Sequence, residues 1–270
     1  MTRAELDRAL SPSATVERLD HYLWLYAEQS RMAPEALADV ARIDVAYGPD
    51  ERHRLDLFTS GEPGAPLVVF VHGGFWQALS KDSSSFAAPA CREAGVHFAA
   101  ISYRLGQTTG LAGIVNDVRL ALEELGELAD DAGFDPGRVV LVGHSAGAHL
   151  AAMVAATGGV DSLDIAGVSL IGGVFDLAPV QRSYVNDVMQ LSDSDVAALS
   201  PVRLEPPSGV RVLVTYAELD TPEFQRQSEM LADRWGTDLE PPQPGLNHFN
   251  SPMDLADPAS RLFRHTLALA

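Results

Sequence analysis

Residues 143–147 read Gly-His-Ser-Ala-Gly, directly after the apolar run Val139-Val140-Leu141-Val142 and directly before Ala148-His149-Leu150-Ala151-Ala152-Met153. A glycine-flanked serine thus sits where a buried strand hands over to a helix, which is the pattern of a nucleophile elbow. The glycines have a steric reason. The turn is so sharp that side chains at those positions would collide, and the strain holds the serine hydroxyl above the sheet. The pentapeptide alone is also compatible with an ordinary turn serine, but the strand before it and the helix after it favour Ser145 as a candidate nucleophile.

The rest of the chain keeps the same rhythm. Residues 14–40 are helix-like and form an N-terminal arm, and 42–47 and 53–58 are short alternating runs split by Gly48-Pro49-Asp50, as in a hairpin at a sheet edge. Runs 67–71 and 139–142 are continuously apolar and 96–101 nearly so, as strands buried on both faces are, and strands over 165–171 and 210–216 continue the series. Between 114 and 132, Val118, Ala121, Leu122, Leu125, Leu128 and Ala129 fall at helical spacing, with Asp135-Pro136-Gly137 as the expected stop. Helices are expected over 146–157, 222–235 and 258–269. Strands alternating with helices give parallel strands with right-handed crossovers, hence an α/β sheet covered on both faces. Residues 174–208 interrupt the rhythm, with a short helix after an Asp193-Ser194 cap. An insertion at the carboxyl edge of such a sheet lies over the ligand site, so this segment is expected to form a small cap over Ser145. One domain accommodates all 270 residues.

A serine hydroxyl needs a base within hydrogen-bond reach, and the base needs an acceptor to fix its tautomer. After an elbow of this type the acid and then the histidine follow along the chain. Ala217-Glu218-Leu219-Asp220 follows the 210–216 run, and His248 lies in a loop before the last helix. His21, His53 and His97 precede the elbow, His149 points down its helix and His265 lies inside the last helix, which leaves His248 as the base. Asp220 is favoured over Glu218 as the acid because it lies further past the strand end, although it also stands where it could cap the helix starting near Pro222. Donors for an oxyanion are expected from His72-Gly73-Gly74-Phe75-Trp76, just past the 67–71 strand: the amides of Gly73 and Gly74, joined by that of Ala146. His72 is read as tying the loop down. Trp76, Tyr184, Phe249 and Phe75 are candidates to hold an aromatic ring, each equally compatible with core packing.

The net charge of −18 argues against nucleic acid or an anionic membrane surface as partner. Cys91 is the only cysteine, no run of about 18 apolar residues occurs, and residues 1–10 lack the apolar stretch of a signal peptide; a cytoplasmic protein is expected. Lys81 is the only lysine, expected at the solvated surface or bracing a loop.

These motifs resemble the arylformamidases, or kynurenine formamidases, of the animal and yeast type within the α/β-hydrolase fold. The resemblance rests on HGGFWQ with Lys81-Asp82, GHSAGAHLAAM, FDLAPV with Tyr184-Val185-Asn186-Asp187 and Leu199-Ser200-Pro201-Val202, and Asp220-Thr221-Pro222-Glu223-Phe224 with Arg226-Gln227-Ser228, across about residues 67–250. It implies a mostly parallel central sheet with a small cap, Ser145, Asp220 and His248 as the triad, His72-Gly73-Gly74 as the oxyanion loop, and neither metal nor cofactor. Phe75 stands where that family commonly has tyrosine, Gly106 follows Tyr103-Arg104-Leu105 in place of alanine-proline, and Asn250 stands where aspartate is common. The implied reaction is hydrolysis of an N-formyl arylamine such as N-formylkynurenine. An anionic substrate would need a local donor, for which Asn186 and Ser200 are candidates. A carboxylesterase on small aryl or acyl esters is the close alternative, and a non-catalytic small-molecule binder on a hydrolase scaffold the one from another class. Monomer and homodimer are both open.

Overall fold

A computed structural model describes residues 1–270 and joins the two alternating runs and the five longer strand runs in one seven-stranded sheet. The strands are β1 (Ala41–Ala46), β2 (Arg54–Phe58), β3 (Ala65–Val71), β4 (His97–Ile101), β5 (Phe134–His144), β6 (Ile165–Ile171) and β7 (Arg211–Thr215). Ten helices accompany them: α1 (Arg3–Ala9), α2 (Leu19–Ala36), α3 (Ala88–Glu93), α4 (Leu111–Ala132), α5 (Ala146–Ala156), α6 (Leu177–Gln181), α7 (Asn186–Met189), α8 (Asp193–Ala198), α9 (Pro222–Trp235) and α10 (Arg261–Leu267). None is long and apolar enough to cross a membrane.

The strand order is β1-β2-β4-β3-β5-β6-β7. β2 is antiparallel to both β1 and β4, and β4, β3, β5, β6 and β7 run parallel. Because side chains alternate along a strand, the continuous apolar runs feed two cores. Leu67, Val69, Val71, Val139 and Leu141 pack on one face with α4, α5 and α9; Val68, Phe70, Val140 and Val142 pack on the other with α3, α10 and part of α2. This is the mostly parallel α/β-hydrolase sheet with helices on both faces.

Pairing Val71 with Gly143, His144 with Ile171, and Ile171 with Thr215 sets the carboxyl ends of four strands level. The loops after β3, β5, β6 and β7 therefore leave one edge, where parallel α/β sheets bind ligands. Residues between β6 and β7 carry α6, α7 and α8 over that edge.

Three local features differ from the expectations. α4 is ended by Gly133 at φ +80°, a left-handed C-cap, and Asp135-Pro136-Gly137 lies inside β5 instead of stopping the helix. α8 is capped by Ser192 and Asp195 in a reciprocal box, one residue before the expected cap. Lys81 is not a solvated surface residue: it is 5 % exposed, and its Nζ lies 2.7, 2.9 and 3.1 Å from carboxylates of Asp44, Asp82 and Asp56. Burial opposes the charge on Lys81, but the three carboxylates outweigh it and hold the ammonium above the ordinary lysine range. Asp56, as deep as the lysine, is pushed up by its own burial, while Asp44 and Asp82 are well exposed.

The cluster ties the edge hairpin β1–β2 to the segment that follows the His72-Gly73-Gly74 loop. Lys81→Met should lower unfolding stability by about 3 kcal/mol, because Asp56 stays buried without its partner. Adding Asp56→Asn should recover part of the loss in urea denaturation, and failure to do so would separate the lysine from that carboxylate.

Candidate active site

At the end of β5 the chain turns through Ser145 with φ +57° and ψ −120°, outside the regions a serine ordinarily adopts. Strain of this kind is of order 1–3 kcal/mol and needs a rigid surround. The surround is packed. A Cβ on Gly147 would overlap the carbonyls of Val71 and His72, one on Gly143 would overlap Gly147 and Ala148, and Ser145 N–H donates to the Ile171 carbonyl at 2.9 Å. The elbow glycines are thus required by close approach of β3, β5 and α5.

His248 is buried, and its Nδ1 lies 2.7 Å from Asp220 Oδ2. The other carboxylate oxygen, Asp220 Oδ1, accepts the N–H of Thr221 at 2.8 Å; Thr221 is the N-cap of α9 and no side chain caps that helix, so Asp220 serves the histidine and not as a helix cap. Donation from Nδ1 to the carboxylate leaves Nε2 as an acceptor, the tautomer a general base needs. Glu218 instead binds the Gly245 amide at 2.7 Å, away from His248. Gly172, at φ +51°, leaves room for the pair: a Cβ there would lie 3.2 Å from Asp220 Oδ2 and 3.5 Å from His248 Nδ1. Ser145 Oγ makes no hydrogen bond to a protein group, yet Ser145 and His248 line one cavity, and contacts of this type tighten when substrate binds.

His144, inside the elbow itself, is a part of the site that the sequence reading passed over. Its Nε2 donates to the His248 carbonyl at 2.8 Å, and the two rings lie 4.7 Å apart. Residue 144 thereby holds the backbone of residue 248. The only sequence signal was its place in the elbow.

The loop after β3 is tied down as expected of His72. That ring stacks on Tyr103 at 4.1 Å, and the Tyr103 hydroxyl donates to the carbonyls of His72 at 2.7 Å and Gly73 at 3.1 Å. With both carbonyls drawn away, the amides of Gly73 and Gly74 donate to no backbone acceptor, and a Cβ on Gly73 would lie 3.1 Å from Ser145 Cβ. Ala146 is the first residue of α5, where an amide has no intrahelical partner and the helix dipole favours negative charge. Gly74 (φ +94°), Phe75 (φ +49°) and Trp76 (φ +60°) then bend the loop sharply.

A cavity of about 310 Å³ opens over Ser145. Phe75, Tyr184 and Phe249 line it; Trp76 and Asn186 do not. Trp76 is fully buried edge-on against His149 at 5.0 Å, because its left-handed backbone turns the indole into the core. Asn186 Oδ1 is spent on the Leu191 amide at 2.6 Å. Ser200 is likewise spent, accepting Leu177 N–H and donating to the Val196 carbonyl. His149 ties α5 to the insertion through the Leu199 carbonyl at 2.7 Å. Asn250 caps the Asn247 amide at 2.6 Å, and Gly106 passes so close to Met189 that a Cβ would overlap its sulfur.

The opposite wall comes from the N-terminal arm, which supplies Pro12, Leu19, Leu23 and Tyr26. Leu6 and Leu10 anchor the arm in the interior, Thr221 Oγ1 donates to the Ala9 carbonyl at 2.6 Å, and Tyr26 OH donates to the Phe249 carbonyl. The apolar residues of the arm were readable in sequence, but nothing local in them shows a wall.

Burial makes three histidines of this region poor bases. His72 is pulled down to about 3 and His149 to about 4, and His144 is pulled well below the ordinary range by burial and by His248 beside it. The unfolded chain binds these protons below about pH 6.5 and the folded chain does not, so acidification destabilises the fold. Each site adds a slope of up to about 1.4 kcal/mol per pH unit as pH falls from about 6.5 toward its folded value. The urea midpoint should therefore drop between pH 7 and 5.5; a flat midpoint would contradict neutral burial.

Comparison with known proteins bears on the family and the fold. Residues 55–174 match the family described as BD-FAE. Kynurenine formamidase from Danio rerio is 32% identical over 244 residues, covering 85% of this chain and 82% of that one, and the Salmo salar enzyme is 32% identical over 81% of its length. The crystal structure of a candidate thioesterase from Silicibacter sp. TM1040 superposes with a TM-score of 0.89 at 30% identity, covering 98% of both chains. The carboxylesterase EstE1, at 21% identity and a TM-score of 0.67, shares the fold. From this agreement along most of its length, the chain belongs to the kynurenine formamidase family, serine-hydrolase-type enzymes built on the α/β-hydrolase fold.

Proposed function

We propose that this enzyme hydrolyses N-formyl arylamines through a formyl-serine intermediate, with Ser145 as nucleophile, His248 as base and then acid, and Asp220 orienting the imidazole. The carrying observation is the single cavity in which Ser145 and His248 face Phe75, Tyr184 and Phe249. Its 310 Å³ lies at the small end of ligand sites, which suits one aromatic ring and a minimal acyl group. Ser145 Oγ attacks the formyl carbon while His248 Nε2 takes its proton. The amides of Gly73, Gly74 and Ala146 hold the oxyanion. Collapse expels the arylamine, protonated by His248, and a water deprotonated by His248 then releases formate and frees Ser145.

A second reading, hydrolysis of small esters or thioesters by the same groups, is favoured by the 30% identity to the candidate thioesterase. Comparing formanilide with phenyl acetate, each as rate enhancement over its uncatalysed hydrolysis, separates the two. The larger enhancement is expected for the formamide, with formate released stoichiometrically. Turnover of the ester alone would select the esterase.

A further inference from the structure

The walls of the cavity carry information about the leaving group. No lysine or arginine lines it. Its polar side chains are mostly spoken for: Gln77 Nε2 donates to the Val185 carbonyl at 3.2 Å, the Tyr184 hydroxyl to the Leu10 carbonyl at 3.2 Å, and the Tyr26 hydroxyl to the Phe249 carbonyl. His144, the other imidazole in the wall, has its Nε2 on the His248 carbonyl and burial keeps it neutral. Apart from Ser145, Ser13 is the one polar wall side chain with no hydrogen bond inside the protein.

Arginines bound to residues beside the wall are also committed. The Arg3 guanidinium pairs with Asp187 at 2.6 Å and Asp7 at 3.7 Å, and Arg52 donates to the carbonyls of Leu79 and Tyr103. At the Tyr184 side of the opening the rim is acidic. Asp7 accepts the Tyr184 amide at 2.7 Å, and Asp187 lies three residues further on. A carboxylate entering this space would lose water and meet no unpaired cation, and at the rim Asp7 and Asp187 outnumber the one Arg3 they share.

Resting on the aryl leaving group proposed above, we propose that this cavity selects an uncharged aryl group and discriminates against substrates bearing a carboxylate. The wall made by Leu19, Leu23 and Phe75 is the specificity element. The N-terminal arm thus sets substrate class as well as enclosing the site.

The test compares kcat/KM for 2-formamidoacetophenone with that for 4-(2-formamidophenyl)-4-oxobutanoate, which presents the same formanilide ketone with a carboxylate tail and no ammonium. The uncharged compound should be favoured at least about tenfold, a difference of about 1.4 kcal/mol. Leu23→Lys, at an already exposed position on the rim, should narrow the ratio by threefold or more. Equal use of both substrates, a preference for the charged one, or a ratio untouched by Leu23→Lys would overturn the assignment. If neither formamide reacts but aryl acetates do, the formamidase reading fails separately. Phenyl acetate against 4-acetoxybenzoate then decides this inference: a persisting preference for the uncharged ester upholds it, and its loss overturns it.

Discussion

Ser145→Ala is expected to lower kcat by about 10⁶, the scale on which removing a serine nucleophile collapses a triad that works as a unit. The variant keeps the cavity, the free amides of Gly73 and Gly74 and the Asp220–His248 pair, so substrate should still bind. Alanine retains the Cβ that serine already accommodates at φ +57°, so thermal stability should change little. A loss of activity with an unchanged melting temperature would locate the defect in the chemistry. Near-normal turnover would remove Ser145 from the mechanism.

Asp220→Asn is expected to lower kcat by about 10⁴ with little change in KM. The structure gives the reason in terms of protons. Oδ1 accepts the buried Thr221 amide at 2.8 Å, so an asparagine keeps its carbonyl oxygen there and turns its NH₂ toward His248 Nδ1. That amide donates where the carboxylate accepted. It fixes the imidazole with its proton on Nε2, where it cannot take one from Ser145. Steady-state kinetics and a thermal melt on the same preparation check this. A kcat within tenfold of the parent would mean that the contact at 2.7 Å is structural only.

The elbow, the Gly73-Gly74 loop and Asp220 were readable from sequence because each follows a strand end marked by an apolar run whose register is local, whereas His248 follows no strand and was reached by chain order alone. The Gly73-Gly74 loop and Asp220 needed only those runs to be parallel and level. Trp76 misled because a side chain next to a motif is assumed to share its direction, and three successive positive φ values reverse that. Asn186 and Ser200 misled because their polar groups serve backbone amides of the insertion itself, a demand invisible until the helices are in place. The wall from the N-terminal arm depends on contacts across more than 170 residues, such as Tyr184 to Asp7 and Asn247 to Tyr22, which no local period encodes. Helix α3 escaped because six residues rich in alanine show no amphipathic period. Lys81 reads as a surface residue by type, and becomes buried only because Asp44, Asp56 and Asp82 converge on it from two strands and a turn.

The most direct test of the account is covalent. The enzyme is treated with an aryl phosphonate, which reacts as the tetrahedral intermediate forms, and the labelled peptide is identified by mass spectrometry. A single label is expected on the Ser145 hydroxyl, greatly slowed in Asp220→Asn, with activity lost in proportion to labelling. A label on any other residue, or full activity with Ser145 modified, would contradict it.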